Sequence, residues 1–253
     1  MTTTTTTADD LQIAGMVPLS TVDWPGRLAA TLFCQGCPWA CVYCHNHAIL
    51  DPRTPGAVPW SDVENLLARR HGLLDAVVFS GGEATRQQAL IPAARRVRDL
   101  GFAVGLHSAG IFPHRLEELL KQHLVDWIGL DIKALPGANY DEVTGQRPRL
   151  QQSAPPSSYR AGHLAWRSLE ICLDHPEVDL EVRITVYPTG PRDALDVARR
   201  VRNMGVAHLA IQKARACGAP HDFVAHGPGW DEWCEALIPA LADCGFDSLV
   251  LRS

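Results

Sequence analysis

Six short apolar runs, each followed by a stretch with helical spacing, limit what this chain can fold into more than any other feature. The runs are Leu28–Phe33, Ala76–Phe79, Phe102–Leu106, Val125–Ile132, Leu180–Val186 and Leu209–Gln212, all of strand length. Helical spacing is read over Pro59–His71, Arg86–Leu100, Pro113–His123, His163–Asp174, Arg192–Met204 and Trp230–Cys244. Ser61 followed by Glu64 reads as a capping box for the first helix. A last short strand is expected at Leu249–Leu251. Such a β/α series builds a parallel sheet with right-handed crossovers. Six units are too few to close an eight-stranded barrel. Periodicity alone leaves two solutions, a partial barrel or a doubly wound open sheet. A chain of 253 residues, 46% of them hydrophobic, can build either around one core.

The polar motifs favour the barrel-like solution. A cysteine loop follows the first strand and Gly81-Gly82-Glu83 the second. His107-Ser108-Ala109-Gly110 follows the third, Asp131-Ile132-Lys133 the fourth, and Arg183 lies on the fifth. All fall at or near carboxyl ends of strands, the face where barrel enzymes place their sites.

The cysteine loop carries Cys37, Cys41 and Cys44 in the spacing C-x-x-x-C-x-x-C. Three thiolates on one loop can hold three irons of a [4Fe–4S] cluster and leave the fourth iron open. An open coordination position is where a metal centre binds and activates a small molecule. Electron-transfer clusters normally have four cysteines. A zinc site would need a fourth ligand, for which His45 and His47 are in range. Eight cysteines are too sparse for a disulfide scaffold. Cys34 reads as a buried thiol at a strand end or an alternative ligand, and Cys172, Cys217, Cys234 and Cys244 have no partner at ligand spacing.

With these residues the chain resembles the radical S-adenosylmethionine (SAM) superfamily, and within it the activating enzymes of glycyl-radical proteins, most of all those of anaerobic ribonucleoside-triphosphate reductase. Asp23-Trp24-Pro25-Gly26-Arg27 resembles the lead-in of those activases, and Gly81-Gly82-Glu83 their G-G-E motif. Asp131-Ile132-Lys133 resembles their D-x-K motif, and Val182-Arg183 with Pro188 their V-R…P segment. The resemblance runs from about Ile13 to about Arg215. It implies a partial, open (β/α)6 barrel whose lateral gap admits large substrates. It also implies a [4Fe–4S] cluster on Cys37, Cys41 and Cys44, with SAM chelating the fourth iron. An injected electron then yields methionine and a 5′-deoxyadenosyl radical, and the protein orients the cofactors and excludes competing reactions.

The same resemblance assigns the remaining rim residues. Tyr43 matches an aromatic position near the adenine, and His45 lies next to the last cysteine. Gly81 and Gly82 let backbone approach SAM where a Cβ would intrude, with Glu83 helping to hold the loop. Asp131 and Lys133 lie beside SAM, and Arg183 is placed to grip a carboxylate. A structural ion pair, Asp131–Arg183 included, is the competing reading of these charges. Gln212 is placed to reach the adenine side. The third-strand turn departs from the activase pattern: His107 and Ser108 stand where related activases have an aspartate that helps hold a cation. Gly81-Gly82-Glu83-Ala84 also lacks the proline that commonly follows.

Partners and setting follow from charge and family together. A formal charge of −5 and a pI near 6.1 give no electrostatic case for nucleic-acid binding. No run of 18 apolar residues exists, so no membrane span is expected. Residues 1–12 open on a threonine run and are expected as a disordered tail ahead of a domain over 13–253. The stretch 146–162 reads as a surface loop. Free thiols and an oxygen-sensitive cluster imply a cytoplasmic setting. No further cysteine pairs lie between Cys44 and Gly81, so electrons are expected from an external flavodoxin or ferredoxin. The implied substrate is a glycyl-radical enzyme. A pyruvate formate-lyase-type activase, a small-molecule radical SAM enzyme and a non-catalytic iron–sulfur module are the alternatives.

Overall fold

The computed structural model describes residues 5–145 and 160–252. Eight strands lie in one sheet in chain order: β1 (Ile13–Ser20), β2 (Ala29–Cys34), β3 (Ala76–Gly81), β4 (Ala103–Ser108), β5 (Trp127–Asp131), β6 (Asp179–Val186), β7 (His208–Lys213) and β8 (Ser248–Arg252). β1 runs antiparallel to β2, and every later neighbour is parallel. Strand order never reverses, which excludes the doubly wound alternative, since that fold needs a switch point. Among the described residues β1 does not pair with β8, so the sheet stays an open, partial barrel.

Seven α-helices complete it among the described residues: α1 (Trp60–Arg69), α2 (Leu90–Asp99), α3 (Pro113–Lys121), α4 (Ala138–Val143), α5 (Arg160–Leu173), α6 (Ala194–Asn203) and α7 (Trp230–Ala242). Most are amphipathic, and they cover the outer face of the sheet. Leu32, Phe79, Leu106, Ile128 and Val182 point outward from successive strands into that layer, all fully buried or nearly so.

The inner face is different. The first residues of four strands, Ala29, Ala76, Ala103 and Trp127, form the N-terminal end of the barrel interior with Val78 and Trp24. Trp24 stacks on Trp127 with ring centroids 5.5 Å apart. Its backbone neighbour, the Asp23 carbonyl, accepts from His107 Nε2 at 2.7 Å and from Arg183 at 3.3 Å. Gly105 makes room for the indole: a Cβ there would lie 2.9 Å from the ring. The Asp23–Arg27 lead-in is therefore a stopper for the N-terminal end of the barrel interior that reaches up to His107 and Arg183.

Several expectations need correction. β1 was not foreseen, because Gly15 and Pro18 interrupt its pattern; an antiparallel edge strand tolerates both. α1 is entered through Pro59, one residue before Trp60, so Ser61 lies inside the helix and does not cap it. The helix expected from Arg86 begins only at Leu90, since Ala84–Arg86 is taken up in a 3-10 turn under Glu83. The tail ends earlier than read: Ala8–Asp10 forms a 3-10 turn, Leu11 is buried, and the Gln12 amide donates to Gln87 at 2.8 Å. Of the expected 146–162 loop, residues 146–159 lie outside the described residues and Arg160 already opens α5.

Candidate active site

β2 delivers the chain to the C-terminal mouth at Cys34, a buried thiol pushed up to about 12 by burial and then by Glu83. The cysteine loop that follows is held from both sides. On one, the Gln35 amide donates to the carbonyls of Ile49 and Asp51, at 3.1 and 2.8 Å. The Gly36 and Cys37 amides donate to Ile49 and Leu50. On the other, the Ala40 and Val42 amides donate to the carbonyls of Thr144 and Val143, both at 3.1 Å. The three cysteines thus occupy a loop fixed by the segment immediately after it and by one far along the chain.

The end of β3 packs directly on that loop. The Gly82 amide donates to the Cys34 carbonyl and the Glu83 amide to the Gly36 carbonyl, each at 2.9 Å. Gly81 has φ +104°, and a Cβ there would lie 2.3 Å from the Cys34 nitrogen. A Cβ on Gly82 would lie 2.3 Å from the Gly36 oxygen. The cysteine loop's own backbone already demands glycine at both positions, independently of any approach to SAM.

Glu83 is fully buried and occupied within the protein. Its Oε1 accepts from Thr85 Oγ1 at 2.5 Å and Ser108 Oγ at 2.8 Å, and its Oε2 from the Ala109 amide at 2.8 Å. Burial raises its pKa while these donors pull it back. Ser108, expected at the cofactor, spends its hydroxyl proton on Glu83 and accepts from the Gly110 amide at 3.0 Å. Both residues brace the mouth, tying the cysteine loop to the turn after β4.

Beside the triplet stands a buried ammonium. Lys133 pairs with Asp131 at 2.9 Å, lies 3.4 Å from the Tyr43 hydroxyl, and sits 5.4 Å from the centre of that ring. Burial opposes its charge, but Asp131 and then Tyr43 hold its pKa well above the usual lysine range. Burial drives the cysteines the other way: Cys37 up to about 12, helped by Glu83, and Cys41 up to about 11, with Lys133 pulling it down. Cys44 is raised by burial too. Burial thus favours the thiol over the thiolate at all three, and binding a metal centre releases their protons.

Other expected residues are placed differently. Arg183 turns away from the mouth, bonding Glu181 at 2.8 Å and lying 5.1 Å over Trp127. The Asp131–Arg183 ion pair does not form, although the two are neighbours in register; Asp131 pairs with Lys133 instead. Two residues back along β6, Glu181 is buried and also takes Arg252 from β8 at 2.8 Å, which draws Arg183 inward. Gln212 lies 3.5 Å from Thr185. The His45 ring accepts from the Arg215 amide at 3.1 Å, anchoring the loop after β7.

Sequence reasoning missed Asn46, whose side-chain amide donates to the Gly81 carbonyl at 2.8 Å and so links the loop to β3. It missed Tyr187, whose ring lies 5.1 Å from that of Tyr43. Neither carries a spacing signal, since each meets the site through a fold contact.

Among the described residues no three histidine, cysteine or carboxylate side chains converge as ligands of one metal ion. The donor set is three thiols spread along one loop, and this fits a cluster held at three corners. Residues 31–154 match the radical SAM superfamily. The match covers just under half of the chain, the part that carries the cysteine loop and the Gly81-Gly82-Glu83 motif. It is 37% identical over 125 residues to a protein of Methanocaldococcus jannaschii named as a glycyl-radical enzyme activating enzyme, covering 48% of this chain and 50% of that one. It is 29% identical over 143 residues to the pyruvate formate-lyase-activating enzyme of Clostridium pasteurianum, covering 54% and 59%. These matches span little more than half the length of the curated relatives. The fold is shared with a radical SAM methyltransferase from Sphaerobacter thermophilus, with a TM-score of 0.66 at 15% identity, over 91% of this chain and 67% of that one.

Proposed function

We propose that this chain is a radical SAM activase that generates a glycyl radical on a partner enzyme. One observation carries the reading: the loop bearing the three cysteines is tied at the barrel mouth to the Gly81-Gly82-Glu83 backbone, through Cys34 and Gly36 at its start and Asn46 at its end. The names of its relatives support the choice of activase. The partner is a glycyl-radical enzyme, by the motif resemblance an anaerobic ribonucleoside-triphosphate reductase, and the setting is the cytoplasm. No helix among the described residues is long and apolar enough to cross a membrane.

When bound, a [4Fe–4S] cluster with SAM supplies reductive cleavage of the sulfonium bond and hence the means to abstract a hydrogen atom. The chain's residues supply the rest. Cys37, Cys41 and Cys44 hold three corners, and Asn46 and the glycine pair fix the loop. Asp131 and Lys133 place one acceptor and one buried donor next to Tyr43, a set suited to the amino and carboxylate groups of a zwitterion. Thr185 and Gln212 line the interior across from them. The open edge between β1 and β8 leaves a protein segment a way in.

The test is anaerobic reconstitution with iron and sulfide, followed by reduction with SAM and candidate glycyl-radical enzymes. Release of 5′-deoxyadenosine together with a glycyl signal in electron paramagnetic resonance supports the activase. Deoxyadenosine release without that signal on any candidate replaces it with a small-molecule substrate. A SAM-inert cluster removes the enzyme reading.

A further inference from the structure

We propose that the cavity between α7 and the outer face of β7 and β8 binds a medium-chain aliphatic carboxylate, its head group held by Lys213 and Cys234. The site lies on the helix-covered side of the sheet, away from the barrel mouth. It does not depend on the radical SAM reading.

The outer layer is sealed from β2 to β7 and left unfinished at β8. Leu32, Phe79, Leu106, Ile128, Val182 and Leu209 are all buried beneath helices. Leu251, in register with Ile211 and so on the same face, is 49% exposed. Between these strands and α7 lies a cavity of about 310 Å³, at the small end of the range for ligand sites. Leu237, Ile238 and Leu241 line it from one side of the helix, Ile211 and Leu251 from the strands. Ile238 is itself 39% exposed, so the apolar end opens to solvent.

Lys213 and Cys234 are the polar groups of the cavity with capacity to spare. Lys213 ends β7 and alternates with Gln212, which puts it on the outer face. Its ammonium donates to the Cys234 sulfur. Cys234 is only 4% exposed, and its own S–H stays free to donate. Among the described residues Lys213 takes part in no ion pair. Arg252 also lines the cavity, but its two terminal nitrogens are committed to Glu181 at 2.9 and 2.8 Å. Two more charges reach Cys234: Asp231 in the first turn of α7 and Arg192 just before α6, acting in opposite senses. Glu232 and Glu235 of α7 are exposed and do not line the cavity. Lys213 is therefore the cation left to be matched.

This arrangement selects a ligand with a singly charged head and an apolar body. One ammonium and one weak S–H donor match the two oxygens of a carboxylate, whereas a phosphate asks for more donors than remain free. Walls of leucine and isoleucine favour an alkyl tail in proportion to the area it hides from water. A sugar or a peptide would leave polar groups unpaired against them. With the cation at one end and the exit at the other, the tail runs toward Ile238 and Leu251.

The experiment is calorimetric titration of the full chain with octanoate, with octanol and octylamine as controls of equal tail length. Octanoate is expected to saturate a single site. Lys213→Gln, a change at an exposed position that spares the fold, should weaken octanoate about tenfold and leave octanol unaltered. Lys213→Arg should recover most of the loss. Octanoate should also protect Cys234 of the unaltered chain from iodoacetamide, read by peptide mass mapping, while the exposed Cys217 reacts at its usual rate. Octylamine binding as well as octanoate, or Lys213→Gln without effect, overturns the proposal, because the tail would then rest on an apolar surface alone. Alkylation of Cys234 indifferent to octanoate overturns it too. So does a chain that takes up no octanoate and sediments as a dimer until Leu251→Glu separates it, which assigns the cavity to a second copy. None of these readouts needs an iron–sulfur cluster, so they stand or fall apart from the radical chemistry.

Discussion

At the residue scale the mouth of the barrel depends on groups with no slack. Gly82 faces the Gly36 carbonyl with no space for a methyl group. Gly82→Ala should destabilise the chain by about 1–3 kcal/mol through overpacking, and should lower iron content after reconstitution; urea unfolding and iron assay read the two together. Glu83 accepts from four donors, the amide and hydroxyl of Thr85, the Ser108 hydroxyl and the Ala109 amide. Glu83→Gln keeps the shape but brings an NH2 into that set, and should cost about 1–3 kcal/mol. Denaturation of the variant beside wild type decides it. His107 gives a pH dependence. Its Nε2 donates to the Asp23 carbonyl, so Nδ1 accepts from Ser80 at 3.0 Å and the ring is neutral. Burial, and then the charge of Arg183, press its pKa down to about 3. Unfolded, it titrates near 6.5. Between these values the unfolded chain binds a proton that the folded chain does not. Stability therefore falls as pH drops through that window, by at most about 1.4 kcal/mol per pH unit. Asp23, whose pKa is lowered, adds its own loss once pH falls below the unfolded carboxylate value of about 3.9. Urea midpoints at pH 7.5 and 5.5 should converge more closely in His107→Gln than in wild type.

At the scale of elements the lead-in segment between β1 and β2 is the clearest case of a motif with a mechanical purpose. Trp24 is buried against Trp127 and the first residues of the strands. Trp24→Ala should cost about 3–5 kcal/mol and remove near-ultraviolet circular dichroism that arises from the stacked pair. An unchanged spectrum would show that the stack does not persist in solution. The elements also show where reading the sequence works. The parallel strands announce themselves as continuous apolar runs because both faces are covered, outside by helices and inside by the plug. β1 and α4 do not: one is an interrupted edge strand, and the other is a six-residue helix defined by its contacts with the cysteine loop. In the site, the cysteines and glycines were legible because spacing along the chain is spacing in the loop. The partners of Arg183, Ser108 and Asn46 were not, because each is set by which strand lies next door and which way a side chain turns.

At the scale of the whole molecule, loading and stability should be linked. A group that binds only the folded chain raises its stability by mass action. Anaerobic reconstitution should therefore raise the melting temperature, and iron chelation should return it to the unloaded value. Cys44→Ser should abolish both the rise and full iron uptake. A melting temperature indifferent to iron and sulfide would show that the three thiols hold nothing.

The anchoring of the cysteine loop by Ile49, Leu50, Val143 and Thr144 sets an order of events. Contacts between remote segments form late, after the chain has paid the entropy of closing the intervening loops. The thiols are not fully held until the chain has been made through Thr144, because half of what holds them lies there. The cradle for a cluster is therefore complete only after more than half of the polypeptide has been made.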